Sequence, residues 1–202
     1  MNSIKPVFVL LNGLPPTNFE IANSYDLICA TDGAYDHLVD KEITPNLVSG
    51  DFDSISNIPK DIPTLHTPDQ DYTDFEKLLH HLHQEGHEEI HVYGASGKEQ
   101  DHFLGNIHVA LVWKEQLNIV FYDDYGTHRL IPKSFQASNV KGKNVSIYPF
   151  PEAEEISTEG LEFPLNGEAL KIGKRIGIRN KAINDQIQIN YTKGNLLVFI
   201  SH

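Results

Sequence analysis

The sequence predicts an α/β fold in two parts, divided near Asp124. Three observations carry this. In the first part, short continuous apolar runs closed by glycine turns alternate with helical patterns, as in strands covered on both faces and joined by helices. After Asp123-Asp124-Tyr125-Gly126 the texture changes to short alternating runs without a convincing helix. The chain of 202 residues, 40% hydrophobic and 22% charged, has an ordinary globular composition and is long enough for one large domain or two modest ones.

In chain order, residues 7–11 form an apolar run ending in Asn12-Gly13, and residues 27–30 another ending in Thr31-Asp32-Gly33. A short helix is expected over residues 19–25, and Tyr35, Leu38 and Val39 suggest one that stops before Pro45. Strands are expected at Leu47-Val48 and at 64–66. A helix follows, with Phe75, Leu78, Leu79 and Leu82 as its core face and its end near Gly86. Residues 90–93 read as a strand, 94–97 as a Gly-Ala-Ser-Gly loop, 101–115 as a helix and 119–122 as a strand. Strands alternating with helices imply right-handed βαβ units and a mainly parallel, Rossmann-like sheet over residues 1–124. Beyond it, runs at 145–148, 170–172, 187–191 and 196–200, with turns at Asn166-Gly167 and Lys193-Gly194, predict a small all-β sandwich over 125–202.

The net charge of -12, from 16 Lys+Arg against 28 Asp+Glu, argues against a broad nucleic-acid-binding role. Cys29 is the single cysteine and sits in an apolar run, so no intramolecular disulfide forms and a cytoplasmic location is expected. The first residues, MNSIKPVFVLLNGLPP, lack the pattern of a signal peptide, and no run approaches membrane-spanning length.

Two groups of aspartates stand out. Asp51 and Asp53 follow Leu47-Val48 and a Ser49-Gly50 turn, and Asp71 and Asp74 flank Thr73 at a helix start. Residues two apart at a strand end, or three apart on a first helical turn, can aim oxygens at one point. Hard oxygen donors with room for water and phosphate suit Mg²⁺. The structural alternative is turn and cap chemistry: Thr73 with Glu76 makes a capping box. In an open parallel sheet ligands bind beyond the carboxyl ends of the strands, where Asp32, Asp51, Asp53, Asp71 and the loop from Gly94 to Asp101 would gather. That loop precedes a helix whose first N–H groups can receive a phosphate, although it is not a Walker A loop. Lys77 either reaches a phosphate or pairs with Asp74 at i,i+3. His83 and His87, at i,i+4, fit a solvated helix face better than a zinc site.

Taken together the motifs resemble the thiamine pyrophosphokinase family across nearly the whole chain. They are Asp32-Gly33-Ala34, Gly50-Asp51-Phe52-Asp53-Ser54, the run from Gln70 through Asp71, Thr73 and Asp74 to Lys77, Gly94-Ala95-Ser96-Gly97, Asp101-His102 through Asn106, Ser146-Ile147-Tyr148-Pro149 and the run Gly160 to Leu165. The resemblance implies an α/β domain followed by a β-sandwich, a homodimer with thiamine bound where subunits meet, and transfer of the pyrophosphoryl group of ATP to thiamine with Mg²⁺. It implies metal binding by Asp51, Asp53, Asp71 and Asp101. Asp74 would orient or deprotonate the thiamine hydroxyl or bind metal, and Asp71, Asp74 and Lys77 form the catalytic group. Asp32, Gly33, Gln70, Thr73, Lys77, Gly94, Ser96, Gly97 and Lys98 would hold nucleotide or phosphate, and Asn180 with Asp74 would hold thiamine.

Two departures bear on this. Glu99 stands where the family carries an arginine, with Lys98 turning inward as the compensating cation, and Arg179 precedes Asn180 where the family has serine. Lysine lacks the fork of arginine, so the exchange is not silent. The rival readings are a pyrophosphokinase with another acceptor, a nucleotide-sugar glycosyltransferase built on the Asp51-Phe52-Asp53 pair, or a thiamine or nucleotide sensor.

Overall fold

The computed structural model describes residues 5–17, 24–52, 60–69 and 71–202. Most of the helix expected over 19–25, and the candidate site residues Asp53 and Gln70, lie outside the described residues. The chain divides into two compact units, Met1–Asp124 and Tyr125–His202.

In the first unit a sheet is built from β1 (Val7–Leu10), β2 (Leu27–Thr31), β3 (Leu47–Gly50), β4 (Thr64–His66), β5 (Glu89–Tyr93) and β6 (Asn118–Asp123). All pairings are parallel, in the order β4-β3-β2-β1-β5-β6. Every residue of β1 is buried, which is why the run is apolar at each position rather than at alternate ones. A 3₁₀ turn over Asp32–Ala34 leads into α1 (Tyr35–Val39); α2 (Asp74–Gln84) and α3 (Gln100–Trp113) follow. The α2 helix buries Phe75, Leu78, Leu79 and Leu82. Its N-cap is Thr73, whose hydroxyl accepts the Glu76 N–H at 3.2 Å. Because the chain passes from β1 to β2 on one side and β5 pairs β1 on the other, the ends of β1 and β5 form the point where strand order reverses.

On one sheet face Phe8 and Tyr93 stack at 4.6 Å between ring centroids. The Tyr25 hydroxyl lies 2.8 Å from His91 Nδ1 and 2.9 Å from the Tyr93 hydroxyl. Cys29 in β2 is fully buried, which pushes its thiol up to about 12. Iodoacetamide at mildly alkaline pH should therefore alkylate the native protein roughly 10³-fold more slowly than the urea-unfolded chain. Mass spectrometry of timed samples measures this, and comparable rates would place the thiol at the surface.

The second unit is antiparallel throughout. It contains β7 (Gly126–Leu130), β8 (Ser134–Ser138), β9 (Asn144–Glu159), β10 (Asn166–Lys171), β11 (Gly177–Lys181), β12 (Gln186–Asn190) and β13 (Lys193–Ser201). The order is β7-β13-β9-β12-β8, with β10 and β11 also paired to β9. Ile147, Ile156, Leu170, Ile187, Ile189 and Leu196 are at the centre of its core. The sequence pattern missed β7, β8 and β11, and saw only the start of β9. Alternation through β9 is interrupted around Pro149 and Pro151, which supply no ladder N–H, and the register shifts opposite them between Gly194 and Leu196. No residue of β11 is fully buried, so it lacks the apolar alternation by which a strand is recognised.

Among the described residues no helix is long and apolar enough to cross a membrane.

Candidate active site

The carboxyl ends of the first unit's strands open into a cleft of about 570 Å³, a size that accommodates a nucleotide-sized ligand. Asp32, Asp51, Asp71, Asp74 and Asp101 all line it, together with Thr73, Lys77, Gly94, Ser96, Lys98 and Glu99. Of the other expected site residues in this unit, Gly33 and Gly97 are adjacent to the lining without belonging to it. Residues far apart in sequence meet here because each follows a parallel strand or opens the next helix.

Two loops build the floor. The segment after β1 is laced to the one after β5: Leu11 N–H donates to Tyr93 O at 2.9 Å, Gly13 N–H to Gly94 O at 2.7 Å and Leu14 N–H to Ser96 O at 2.7 Å. A Cβ on Gly13 would collide with the carbonyl oxygens of Gly94 and Ser96, so only glycine permits this approach. Asn106 Nδ2 donates to Ala95 O at 2.9 Å, fastening α3 to the same loop.

Asp32 is almost completely buried. Its Oδ1 accepts the Gly33 N–H at 2.7 Å and its Oδ2 the Phe52 N–H at 2.8 Å. A Cβ on Gly50 would strike this carboxylate. Phe52 is held at a φ of 65°, in the left-handed region. Burial raises the Asp32 carboxyl above its ordinary value; the Gly33 and Phe52 N–H groups pull it back, and the charges of Asp74 and Asp51 add to the rise. Asp32 thus acts on the backbone around Asp51, and Gly33 has its N–H engaged by Asp32.

On the opposite wall, Asp74 opens α2. Lys77 Nζ lies 2.7 Å from Asp74 Oδ1 and donates to Thr67 O at 2.7 Å and Asp69 O at 2.9 Å. Asp71 is exposed, and only its backbone N–H, donating to Asp69 Oδ1 at 2.8 Å, enters the local network among the described residues. Asp101 sits on the first turn of α3, where its Oδ1 accepts the His102 N–H at 3.0 Å.

The first unit has no arginine, and its lysines are Lys5, Lys41, Lys60, Lys77, Lys98 and Lys114. Among the described residues only Lys77 and Lys98 line the cleft. Lys98 Nζ donates to Asn12 Oδ1 at 3.0 Å. Glu99 is exposed, its carboxylate 3.8 Å from His102 Nε2. Asn12 was missed as a site residue. The available signal was its place immediately beyond β1, the same position relative to a strand that singled out the acids.

The cleft's donor chemistry fits Mg²⁺. Its acids are carboxylates without a thiolate, and no three metal-ligating groups stand close enough among the described residues to close on an ion by themselves. Mg²⁺ is ordinarily held by one or two carboxylates while substrate phosphates and waters complete the octahedron.

Asn180, in β11 of the second unit, turns its amide to the segment that carries Phe163. Its Oδ1 accepts the N–H groups of Phe163 at 3.1 Å and Lys181 at 2.8 Å, and its Nδ2 donates to Phe163 O at 2.6 Å. Its amide thereby fixes the loop that leaves Phe163 exposed. Arg179 is exposed, with a φ of 55° and its N–H donated to Ser146 Oγ at 2.9 Å.

Residues 20–121 match the family model described as thiamin pyrophosphokinase, catalytic domain, and residues 127–196 the one described as thiamin pyrophosphokinase, vitamin B1 binding domain. A thiamine pyrophosphokinase of Bacillus subtilis (strain 168) is 29% identical over 175 residues, covering 81% of this chain and 82% of that protein. Thiamin pyrophosphokinase 1 of Caenorhabditis elegans is 27% identical over 207 residues, 92% of this chain and 85% of that one. The crystal structure of a thiamin pyrophosphokinase from Geobacillus thermodenitrificans has the same fold, with a TM-score of 0.85 over 97% of both chains at 20% identity.

Proposed function

The chain belongs to the thiamine pyrophosphokinase family, and on that premise we propose that the acidic cleft is where it moves the pyrophosphoryl group of ATP to thiamine. The products are thiamine diphosphate and AMP. The observation that carries the assignment is the meeting of Asp32, Asp51, Asp71, Asp74 and Asp101 at the strand ends, beside a glycine loop and the start of α3.

Chemically, the hydroxyethyl oxygen of thiamine bonds to the β-phosphorus as the bond from that phosphorus to the α–β bridging oxygen breaks, and AMP leaves with that oxygen. Asp74 orients the hydroxyl and takes its proton; its Oδ2 has no hydrogen-bond partner among the described residues. Asp51, Asp71 and Asp101, with Asp53, would hold Mg²⁺ directly or through water, and the ion would supply neutralisation of the triphosphate and of the charge that develops on the leaving oxygen. Lys98 meets a phosphate oxygen from the β1 side, in place of the arginine that Glu99 displaces. The backbone of Gly94 to Gly97 and Thr73 frame the phosphates, the positive end of α3 favours them, and Gln70 is assigned to the same group from the family resemblance alone. Asp32 and Gly33 act behind the metal loop.

We read the first unit as a Rossmann-like nucleotide-binding domain, since the cleft lies at the point of strand reversal. The second unit is assigned to thiamine binding and dimerisation. Its exposed Phe163, Ile172, Ile176, Ile178 and Ile183 are apolar side chains that a second copy of the chain would cover, and Asn180 shapes the Phe163 loop for thiamine. The buried, unpaired Cys29 suits a cytoplasmic setting.

Chromatography of mixtures containing protein, ATP, Mg²⁺ and thiamine tests the function. Thiamine diphosphate should form only when all four are present and stop when EDTA removes the metal. Folded protein that binds ATP without forming it would overturn the assignment.

A further inference from the structure

The geometry points to Lys77 as a positioning residue that locks the acid arms of the cleft together, rather than a cation that meets the phosphates. The inference rests on the assignment of Asp74 to the thiamine hydroxyl. Of the three N–H donors of an ammonium, two are used here on Thr67 O at 2.7 Å and Asp69 O at 2.9 Å, and Asp74 Oδ1 is an ion-pair partner at 2.7 Å. The side chain is only 12% exposed. A phosphate oxygen would have to compete with these three partners for the ammonium.

What the three acceptors have in common is their place. Asp74 begins α2, while Thr67 and Asp69 belong to the segment between β4 and α2 that also carries Asp71. Thr67 N–H in turn donates to Gly50 O at 2.9 Å, the residue before Asp51. One partly buried charge therefore ties together the start of α2, the loop bearing Asp71 and, through Thr67, the end of β3 that precedes Asp51. The i,i+3 spacing from Asp74 brings Lys77 beneath the loop as the chain folds back onto the helix. If the ammonium is removed, Asp74 Oδ1 keeps only the distant Thr67 hydroxyl, at 3.5 Å. Lys98 differs: it is exposed, and Asn12 Oδ1 is its single hydrogen-bond acceptor among the described residues. The two cleft lysines thus divide the work, one holding protein and the other available to ligand.

Two measurements test this. In wild-type protein, amine labelling followed by peptide mass spectrometry should modify Lys98 readily and lose that modification when MgATP is present, while Lys77 resists labelling in both states. Lys77→Met, which keeps the apolar stem, should lower kcat roughly thirty- to hundredfold and raise the half-maximal Mg²⁺ concentration through displaced carboxylates, while the KM for ATP at saturating Mg²⁺ stays within about twofold, since no phosphate contact is lost. Lys77 that labels freely in the empty protein and is protected by MgATP would overturn the inference. So would a Lys77→Met enzyme whose nucleotide affinity falls tenfold or more while kcat at saturation is kept. The labelling arm holds even if the variant does not fold. Formation of thiamine diphosphate by the wild-type protein separates failure of this inference from failure of the assigned reaction.

Discussion

Asp71→Asn should remove turnover almost completely while leaving the fold intact. The side chain is exposed and makes no hydrogen bond among the described residues, so its neutralisation touches no packing and should change stability by no more than about 0.5 kcal/mol. Its place in the cleft that Asp74 and Asp101 also line gives it one remaining task, holding the metal that neutralises the triphosphate. Metal stabilisation of a transferring phosphoryl group amounts to several kcal/mol, so kcat should fall roughly 10²- to 10⁴-fold. The Mg²⁺ concentration giving half-maximal rate should rise in parallel. Steady-state rates across a Mg²⁺ titration, with melting temperatures beside them, make the measurement. Near-normal rates in a stable variant would remove Asp71 from the metal site.

Asp32→Asn is expected to have the second-largest effect, by a different route. The carboxylate clasps Gly33 and Phe52 through separate oxygens. An amide offers one acceptor and turns an NH₂ group toward the other N–H, so one clasp is lost. Phe52 at its left-handed φ directly follows Asp51, so loosening it should displace that acid and lower turnover roughly ten- to hundredfold. The stability effect has a pH signature. Asp32 is raised on folding from an ordinary value of 3.8, first by burial and also by the charges of Asp74 and Asp51. A carboxyl raised in this way contributes stability that is complete below the unfolded value and is lost as pH rises through the folded one. The wild-type protein should therefore lose stability through this group between acid and neutral pH, and Asp32→Asn should not. Comparing the urea midpoints of the two proteins at the ends of that range isolates the difference. An identical pH dependence would mean that folding does not raise the Asp32 carboxyl.

Much of the first unit was legible in the sequence because its strands are buried on both faces and its helices have apolar stripes. Val7 to Leu10 cannot be read as anything amphipathic, and Phe75, Leu78, Leu79 and Leu82 have one helical phase. The acids were legible because each lies just past such an element. Their division of labour was not. Lys77 makes the i,i+3 pair with Asp74 that the spacing offered, but its bonds to Thr67 O and Asp69 O, like that of Asp32 to the Phe52 N–H, are contacts set by tertiary folding rather than by spacing. Asn180 is similar: the resemblance implies a thiamine contact, yet its amide is engaged by the Phe163 backbone. In the second unit, β9 was cut short by its prolines and β11 hidden by exposure, since a strand with no buried residue leaves no alternation to read.

The central claim, transfer of an intact pyrophosphoryl group within the acidic cleft, is tested most directly by following label from ATP carrying a marked β-phosphate. A single turnover with thiamine and Mg²⁺ should move all of the label into thiamine diphosphate, with unlabelled AMP formed in equal amount and no ADP. Label retained in ADP, with thiamine monophosphate as the product, would show stepwise phosphoryl transfer and contradict the account.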